Sequence, residues 1–139
     1  TQTVRYEITD LFLRFWFRYF TKYSDLIEIG NLPLLGSLIK SDYPTYSGLT
    51  LEIYFRQQLR ESLQFRNVGA WWQAKKEKDP CEIDIVAIYA DNSRALVAEV
   101  KRQRKNFKPE HFQEKVATIR QKLLSDFEIE AKVLTMEDM

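Results

Sequence analysis

The sequence predicts an α/β fold in which a mixed β-sheet lies between two layers of helices. Helical patterns flank three successive strand patterns, and a fourth strand pattern follows the last helix. The two middle strands, EIDIVAIY over 82–89 and RALVAEVK over 94–101, carry apolar residues on both faces, as strands covered by helices do. The chain has 139 residues, of which 45% are hydrophobic and 29% charged, an ordinary composition for one globular domain.

The N-terminal segment is predicted to form a helix over residues 8–23, capped by Thr9 or Asp10. Its apolar side chains surround the helix instead of forming one stripe, a pattern typical of a helix buried on several sides. Either this domain wraps the helix, or a missing upstream region or a second subunit covers it. Glycines and prolines predict irregular structure over 25–45, so we separate an N-terminal segment, 1–45, from a core domain, 46–139.

The core domain is predicted to run in the order helix, three strands, helix, strand. Leu51, Phe55, Leu59 and Leu63 recur every four residues and predict a helix over 47–64. A proline at the favoured first turn opens the second helix. The remaining predicted elements are a strand over 67–73, the two middle strands, a helix over 109–127 and a strand over 130–135.

Composition excludes several classes of function. With one cysteine and one histidine, the chain has no disulfide framework and no multi-cysteine or multi-histidine metal site. Its four glycines are too scattered for a phosphate-cradling loop. The 21 basic and 20 acidic residues nearly cancel, so nucleic-acid binding would require local clustering of charge. No segment reads as a membrane span or signal peptide, and we expect a cytoplasmic protein.

The hairpin of the two middle strands brings charged residues together. A tight turn over 90–93 would place Asp84 opposite Glu99 and Glu82 opposite Lys101. Because side chains alternate along a strand, Asp84, Glu99 and Lys101 would share one face of the sheet. The same alternation predicts that Ile83 and Ile85 point to one common face.

Two carboxylates facing each other destabilise a sheet unless something offsets their repulsion. A divalent cation does so, and Mg²⁺ is commonly held by one or two carboxylates with water and substrate phosphate. A neighbouring lysine can orient the attacking water and stabilise negative charge that develops on a phosphate. The set therefore predicts metal-assisted phosphodiester hydrolysis with Mg²⁺ or Mn²⁺. The alternative is a salt-bridge network in which Lys101 neutralises Glu99 and Glu82.

Asp84 followed by Glu99-Val100-Lys101 resembles the PD-(D/E)XK nuclease superfamily, whose restriction-endonuclease-like core has the same α-β-β-β-α-β order. The resemblance implies that Asp84 and Glu99 bind metal and that Lys101 serves the water. Glu52, on the helix before the first core strand, looks like the acid that assists in these enzymes and would be a further metal ligand. Ile83 stands where the motif has proline.

A narrower resemblance covers nearly the whole chain. The segments ITDLFLRFWFRYF, YSGLTLE, GAWW, EIDIVA and AEVK are similar to the C-terminal domain of archaeal and bacterial AAA-type ATPases. In that family an ATPase and a winged-helix segment precede a nuclease-like domain. The resemblance implies an upstream ATPase as partner, whose nucleotide-binding motifs are absent from these residues. The resemblance also agrees with the start of the chain at Thr1 and not at Met, from which we expect the chain to be a fragment of a longer protein.

Basic residues near the predicted site favour DNA as the substrate. Phosphate contacts supply most sequence-independent affinity for DNA, although a charged run is often a solvated loop. Two alternatives stay open: a catalytically silent DNA-binding module of nuclease fold, and an interaction domain that only packs on its ATPase. A homo-oligomer is also open. The candidate DNA-contacting residues are Lys75, Lys76, Lys78, Arg102, Arg104, Lys105 and Lys108.

Overall fold

The structure is a computed structural model that describes residues 4, 6–74, 78 and 80–139. Its helical part begins with a short α-helix that continues directly into a π-helical turn, Trp16–Thr21. Asp10 caps the first helix by accepting a hydrogen bond from the Leu13 N–H at 2.8 Å. The α-helices are α1 (Leu11–Phe15), α2 (Ser24–Glu28), α3 (Leu32–Glu61) and α4 (Pro109–Lys122).

Four strands form one mixed sheet in the order β1-β2-β3-β4. β2 pairs antiparallel with both β1 and β3, and β4 pairs in parallel with β3 after the crossover through α4. The predicted α/β class, with a four-stranded mixed sheet flanked by helices, is confirmed. The strands are β1 (Phe65–Trp72), β2 (Glu82–Tyr89), β3 (Arg94–Val100) and β4 (Glu128–Leu134).

A separate hydrophobic core covers each face of the sheet, because β2 and β3 carry apolar side chains in both directions. Val97 and Ile119 are fully buried on one side, and Ile85 and Ala98 on the other. The α4-side core consists of Ile83, Val86, Ala95, Val97, Phe112, Val116, Ile119 and Leu124. The α3-side core consists of Leu51, Phe55, Ile85, Ala98 and Val100.

The chain divides into two compact units, Thr1–Thr50 and Leu51–Met139, with the boundary inside α3. In the first unit, Arg18 donates two hydrogen bonds to the Asp42 carboxylate, at 2.6 and 2.9 Å. The Tyr19 hydroxyl donates a third, at 2.8 Å. These bonds hold the pKa of Asp42 at about 2. The cluster fastens the π-helical turn to α3 within this unit.

Helix α3 begins well before the predicted start at residue 47, so the prediction of irregular structure over 25–45 is wrong. Pro44 lies inside the helix, although proline usually interrupts a helix because it lacks an N–H donor. The predicted continuous helix over 8–23 is instead α1 followed by the π-helical turn. A π-helical turn shifts which side chains share a face, and a 3.6-residue pattern does not reveal that shift.

The first unit leaves many large apolar side chains in contact with solvent. Phe12 is 68% exposed, Phe17 50% and Trp16 46%. Across the described residues, no helix combines the length and apolar character needed to cross a bilayer.

Candidate active site

The candidate site is built around an irregularity in β2. Gly69 pairs with Val86 and Trp71 with Ile83, so β2 contains one more residue than β1 over this interval. Such a bulge changes the direction of neighbouring side chains and is frequent beside active sites. As a result, Ile83 packs in the α4-side core and Ile85 in the α3-side core. The prediction that these two isoleucines share a face is wrong.

The predicted register of the β2–β3 hairpin is confirmed over four pairs, from Ile85–Ala98 to Ile88–Ala95. Regular pairing stops one step before Asp84 and Glu99. Instead of lying in the ladder, the Asp84 carboxylate accepts a hydrogen bond from the Val100 N–H at 2.8 Å. A side chain thus continues the connection between the strands where backbone pairing ends.

The environment of Asp84 makes ionisation of its carboxyl group less favourable than in an ordinary aspartate. Burial raises the pKa of this carboxyl group above its ordinary value, and the negative charge of Glu99 raises it further. The Val100 N–H bond and the charges of Lys115 and Lys101 act in the opposite direction. The two acids are therefore electrostatically coupled neighbours, and a cation at this position would stabilise both in their ionised forms.

Glu99 is 5% exposed and has a partner that sequence reasoning missed. Lys115 of α4 donates a hydrogen bond from its Nζ to the Glu99 Oε1 at 2.9 Å. A sequence signal existed, since Lys115 lies three residues after Phe112 and directly before Val116, both of which are buried. A lysine at the margin of a buried stripe can direct its ammonium group toward the sheet.

Lys101 directly follows β3, and its backbone N–H bonds to the Leu134 carbonyl at 3.0 Å. Its side chain is half-buried, and its charge lowers the pKa of Asp84. Lys101 therefore acts electrostatically on Asp84. The candidate site combines two acids with two lysines, one from the strand end and one from α4.

Glu52 lies on α3 and forms an ion pair with Arg56, with the carboxylate oxygen 3.8 Å from the guanidinium nitrogen. Arg56 is buried and donates a hydrogen bond to the Asp84 backbone carbonyl at 2.9 Å. Glu52 thus reaches the β2 bulge through Arg56. Sequence reasoning missed Arg56, although its position four residues after Glu52 and directly after buried Phe55 indicated a charge at the edge of the core.

The donor atoms suit a hard divalent cation. Asp84 and Glu99 supply the one or two carboxylates by which Mg²⁺ is usually bound, with water and substrate oxygens completing its shell. Within the described part of the chain, no three or more His, Cys, Asp or Glu side chains are grouped to hold a metal ion. Glu52 is therefore not gathered with Asp84 and Glu99 into a three-ligand set.

The candidate DNA-contacting residues fall into two segments. Lys75 and Lys76 lie outside the described residues, and Lys78 is exposed. The others follow β3: Arg102 is half-buried, whereas Arg104, Lys105 and Lys108 are exposed, and Arg104 pairs with Asp138 at 3.5 Å.

Comparison with known proteins assigns the chain to a family. The profile of DUF234, described as archaea bacterial proteins of unknown function, matches residues 16–118. The chain belongs to the DUF234 family. The match includes α3, the first three strands and most of α4, and hence the residues of the candidate site.

This DUF234 chain is 33% identical over 104 residues to an uncharacterized protein of Methanocaldococcus jannaschii, MJECL04. The alignment covers 70% of the chain and 22% of that protein, so the chain spans about a fifth of the length of its relative. No solved structure matches the chain significantly.

Proposed function

We propose that the unit Leu51–Met139 is a nuclease-like domain that hydrolyses DNA phosphodiesters with the aid of Mg²⁺ or Mn²⁺. The observation that carries this proposal is the hydrogen bond of 2.8 Å from the Val100 N–H to the Asp84 carboxylate. It fixes Asp84 against β3, the strand that bears Glu99 and is directly followed by Lys101. Two neighbouring acids and a lysine at a sheet end, within an α-β-β-β-α-β order, suit metal-assisted phosphoryl chemistry.

Each residue has a distinct role in this proposal. Asp84 and Glu99 bind the cation through carboxylate oxygens. Lys101 orients the attacking water and stabilises negative charge on the phosphate through its ammonium group. When bound, the cation polarises a phosphoryl oxygen and lowers the pKa of water. Glu52 assists indirectly, because its partner Arg56 holds the Asp84 backbone.

The cation also explains why two acids are placed where their repulsion is costly. Burial and the charge of Glu99 both disfavour ionised Asp84. A bound dication would act in the opposite direction and favour the ionised form of both carboxylates.

DNA is the proposed substrate because exposed basic residues follow β3 directly. Lys105 and Lys108 are exposed and lie four and seven residues after Lys101 along the chain. Contacts between such side chains and phosphates give affinity without sequence specificity. They would hold a nucleic-acid backbone next to the two acids.

We also propose that the domain works together with an ATPase located elsewhere in a longer chain. The relative from M. jannaschii is several times longer than the aligned region. The exposed aromatic side chains of α1 and the π-helical turn, including Phe12 and Phe17, suit burial against another domain. The ATPase would then control access of DNA to the nuclease-like domain.

A second candidate function is a catalytically silent DNA-binding or protein-interaction module that retains the nuclease fold. The ion pair between Lys115 and Glu99, at 2.9 Å, favours this alternative because an ammonium group already neutralises one proposed metal ligand. In a silent module this pair would be permanent.

A cleavage assay on the 139-residue chain separates the two candidates. Duplex DNA, single-stranded DNA and RNA are incubated with Mg²⁺ or Mn²⁺, with EDTA as the metal-free arm. The variants are Asp84→Asn and Lys101→Met, and the matched control is Glu128→Gln, which removes an exposed acid from β4. We expect metal-dependent cleavage that both site variants abolish and the control retains. Salt-sensitive DNA binding without cleavage, unchanged in Asp84→Asn, would refute the nuclease and favour the silent module.

A further inference from the structure

Lys115 contacts Glu99, and the proposed reaction assigns it no task. Its Nζ lies 2.9 Å from the Glu99 Oε1, and the side chains are 21% and 7% exposed, respectively. A nearly buried carboxylate is costly unless it is paired or bound to a metal. Without a cation, Lys115 supplies the positive charge that Glu99 requires.

Lys115 also lines an open cavity. The cavity has a volume of about 510 Å³ and is lined by residues at the start of β2 and by residues of α4. Two acids, Glu82 and Glu114, lie on its walls. The cavity therefore gives the Lys115 ammonium group room to move away from Glu99. The carboxylates of Glu82 and Glu114 could then pair with it.

We propose that Lys115 is an internal counter-ion of Glu99 that leaves for this cavity when a divalent cation binds. The inference rests on the proposed function, since it requires that Asp84 and Glu99 form the metal site. It assigns Lys115 a positioning role: it keeps the metal-free site folded and lowers the affinity of the site for the cation.

Electrostatics predicts that the Lys115 ammonium group lowers the affinity of the site for the cation. A bound Mg²⁺ lies about 2.0–2.1 Å from its carboxylate oxygens, so a cation on Glu99 and the Lys115 ammonium would share one carboxylate. If the ammonium group stays, it repels the cation. If it leaves, its ion pair with Glu99 is lost. Either cost reduces the affinity of the site for the metal. Removal of the ammonium should therefore tighten Mn²⁺ binding at least tenfold, which corresponds to about 1.4 kcal/mol.

The test is calorimetric titration of Mn²⁺ into the 139-residue chain, with no substrate and no activity readout. Lys115→Gln removes the charge, and Lys122→Gln is the matched control because it removes an exposed lysine from the same helix. Lys115→Arg keeps the charge in a form that binds carboxylates bidentately. We expect Kd to fall at least tenfold in Lys115→Gln, to change less than twofold in Lys122→Gln, and to rise in Lys115→Arg.

Failure of this inference is distinguishable from failure of the proposed function. Mn²⁺ binding that requires Asp84 but has equal Kd in wild type and Lys115→Gln overturns the counter-ion role and leaves the metal site intact. No Mn²⁺ binding by the folded wild type overturns both. If Lys115→Gln does not fold, the Kd of Lys115→Arg for Mn²⁺ tests the inference instead. A Kd equal to or lower than that of the wild type refutes it.

Discussion

Arg56 provides a quantitative test of how the β2 bulge is held. Its guanidinium donates to the Asp84 backbone carbonyl at 2.9 Å, and the residue is only 6% exposed. Hydrogen bonds to charged groups contribute about 1.5–3 kcal/mol in folded proteins. Arg56→Met retains the apolar stem of the side chain and removes the donor. We therefore expect the free energy of unfolding to fall by about 2 kcal/mol.

Arg60→Met is the matched control. Arg60 lies one turn further along α3 and also donates to a strand carbonyl, that of Val68 at 3.1 Å, but it is exposed. Exposed substitutions usually change stability by less than about 0.5 kcal/mol. Urea denaturation of both variants, followed by tryptophan fluorescence and circular dichroism, measures the difference. Equal losses in the two variants would refute the conclusion that the buried hydrogen bond of Arg56 anchors the bulge.

Three further predictions concern other parts of the chain. The pKa of Asp42 is lowered to about 2, so its ionised form stabilises the fold above its ordinary pKa, and this contribution disappears as pH falls toward 2. Asp42→Asn should thus lower the melting temperature at pH 7, and by progressively less below pH 4 in scanning calorimetry; a pH-independent difference would contradict this. Tyr19→Ala removes a side chain that is 1% exposed and should cost about 3–5 kcal/mol, whereas Phe12→Ser, at 68% exposure, should change stability by less than about 0.5 kcal/mol in urea titrations. Lys105→Gln and Lys108→Gln should each reduce the slope of log affinity for DNA against log salt by about 1 in fluorescence anisotropy, and unchanged slopes would remove these residues from the interface.

The sheet was predictable because local rules determine it. The short turn over 90–93 fixes the register of the β2–β3 hairpin, and four observed pairs follow that register. Burial on both faces of β2 and β3 required helices on both sides, which α3 and α4 provide. The juxtaposition of Asp84 with the end of β3 follows from the same register.

The details of the site were not predictable in the same way. A β-bulge leaves no mark in the alternation of apolar residues, so nothing indicated that Ile83 would change face. The position of Lys115 beside the buried stripe of α4 indicated a lysine directed toward the sheet, but sequence spacing does not identify Glu99 of β3 as its partner. The early start of α3 was missed because Pro44 ordinarily marks a helix boundary, whereas here it lies within the helix.

A crystal structure of the 139-residue chain grown with Mn²⁺ tests the central claim most directly. Anomalous scattering locates the ion independently of the refined coordinates. The account predicts one peak within coordination distance of carboxylate oxygens of both Asp84 and Glu99, with the Lys115 ammonium displaced from Glu99. No peak at saturating Mn²⁺, with Lys115 still bonded to Glu99, would contradict the metal site and the proposed hydrolysis that depends on it.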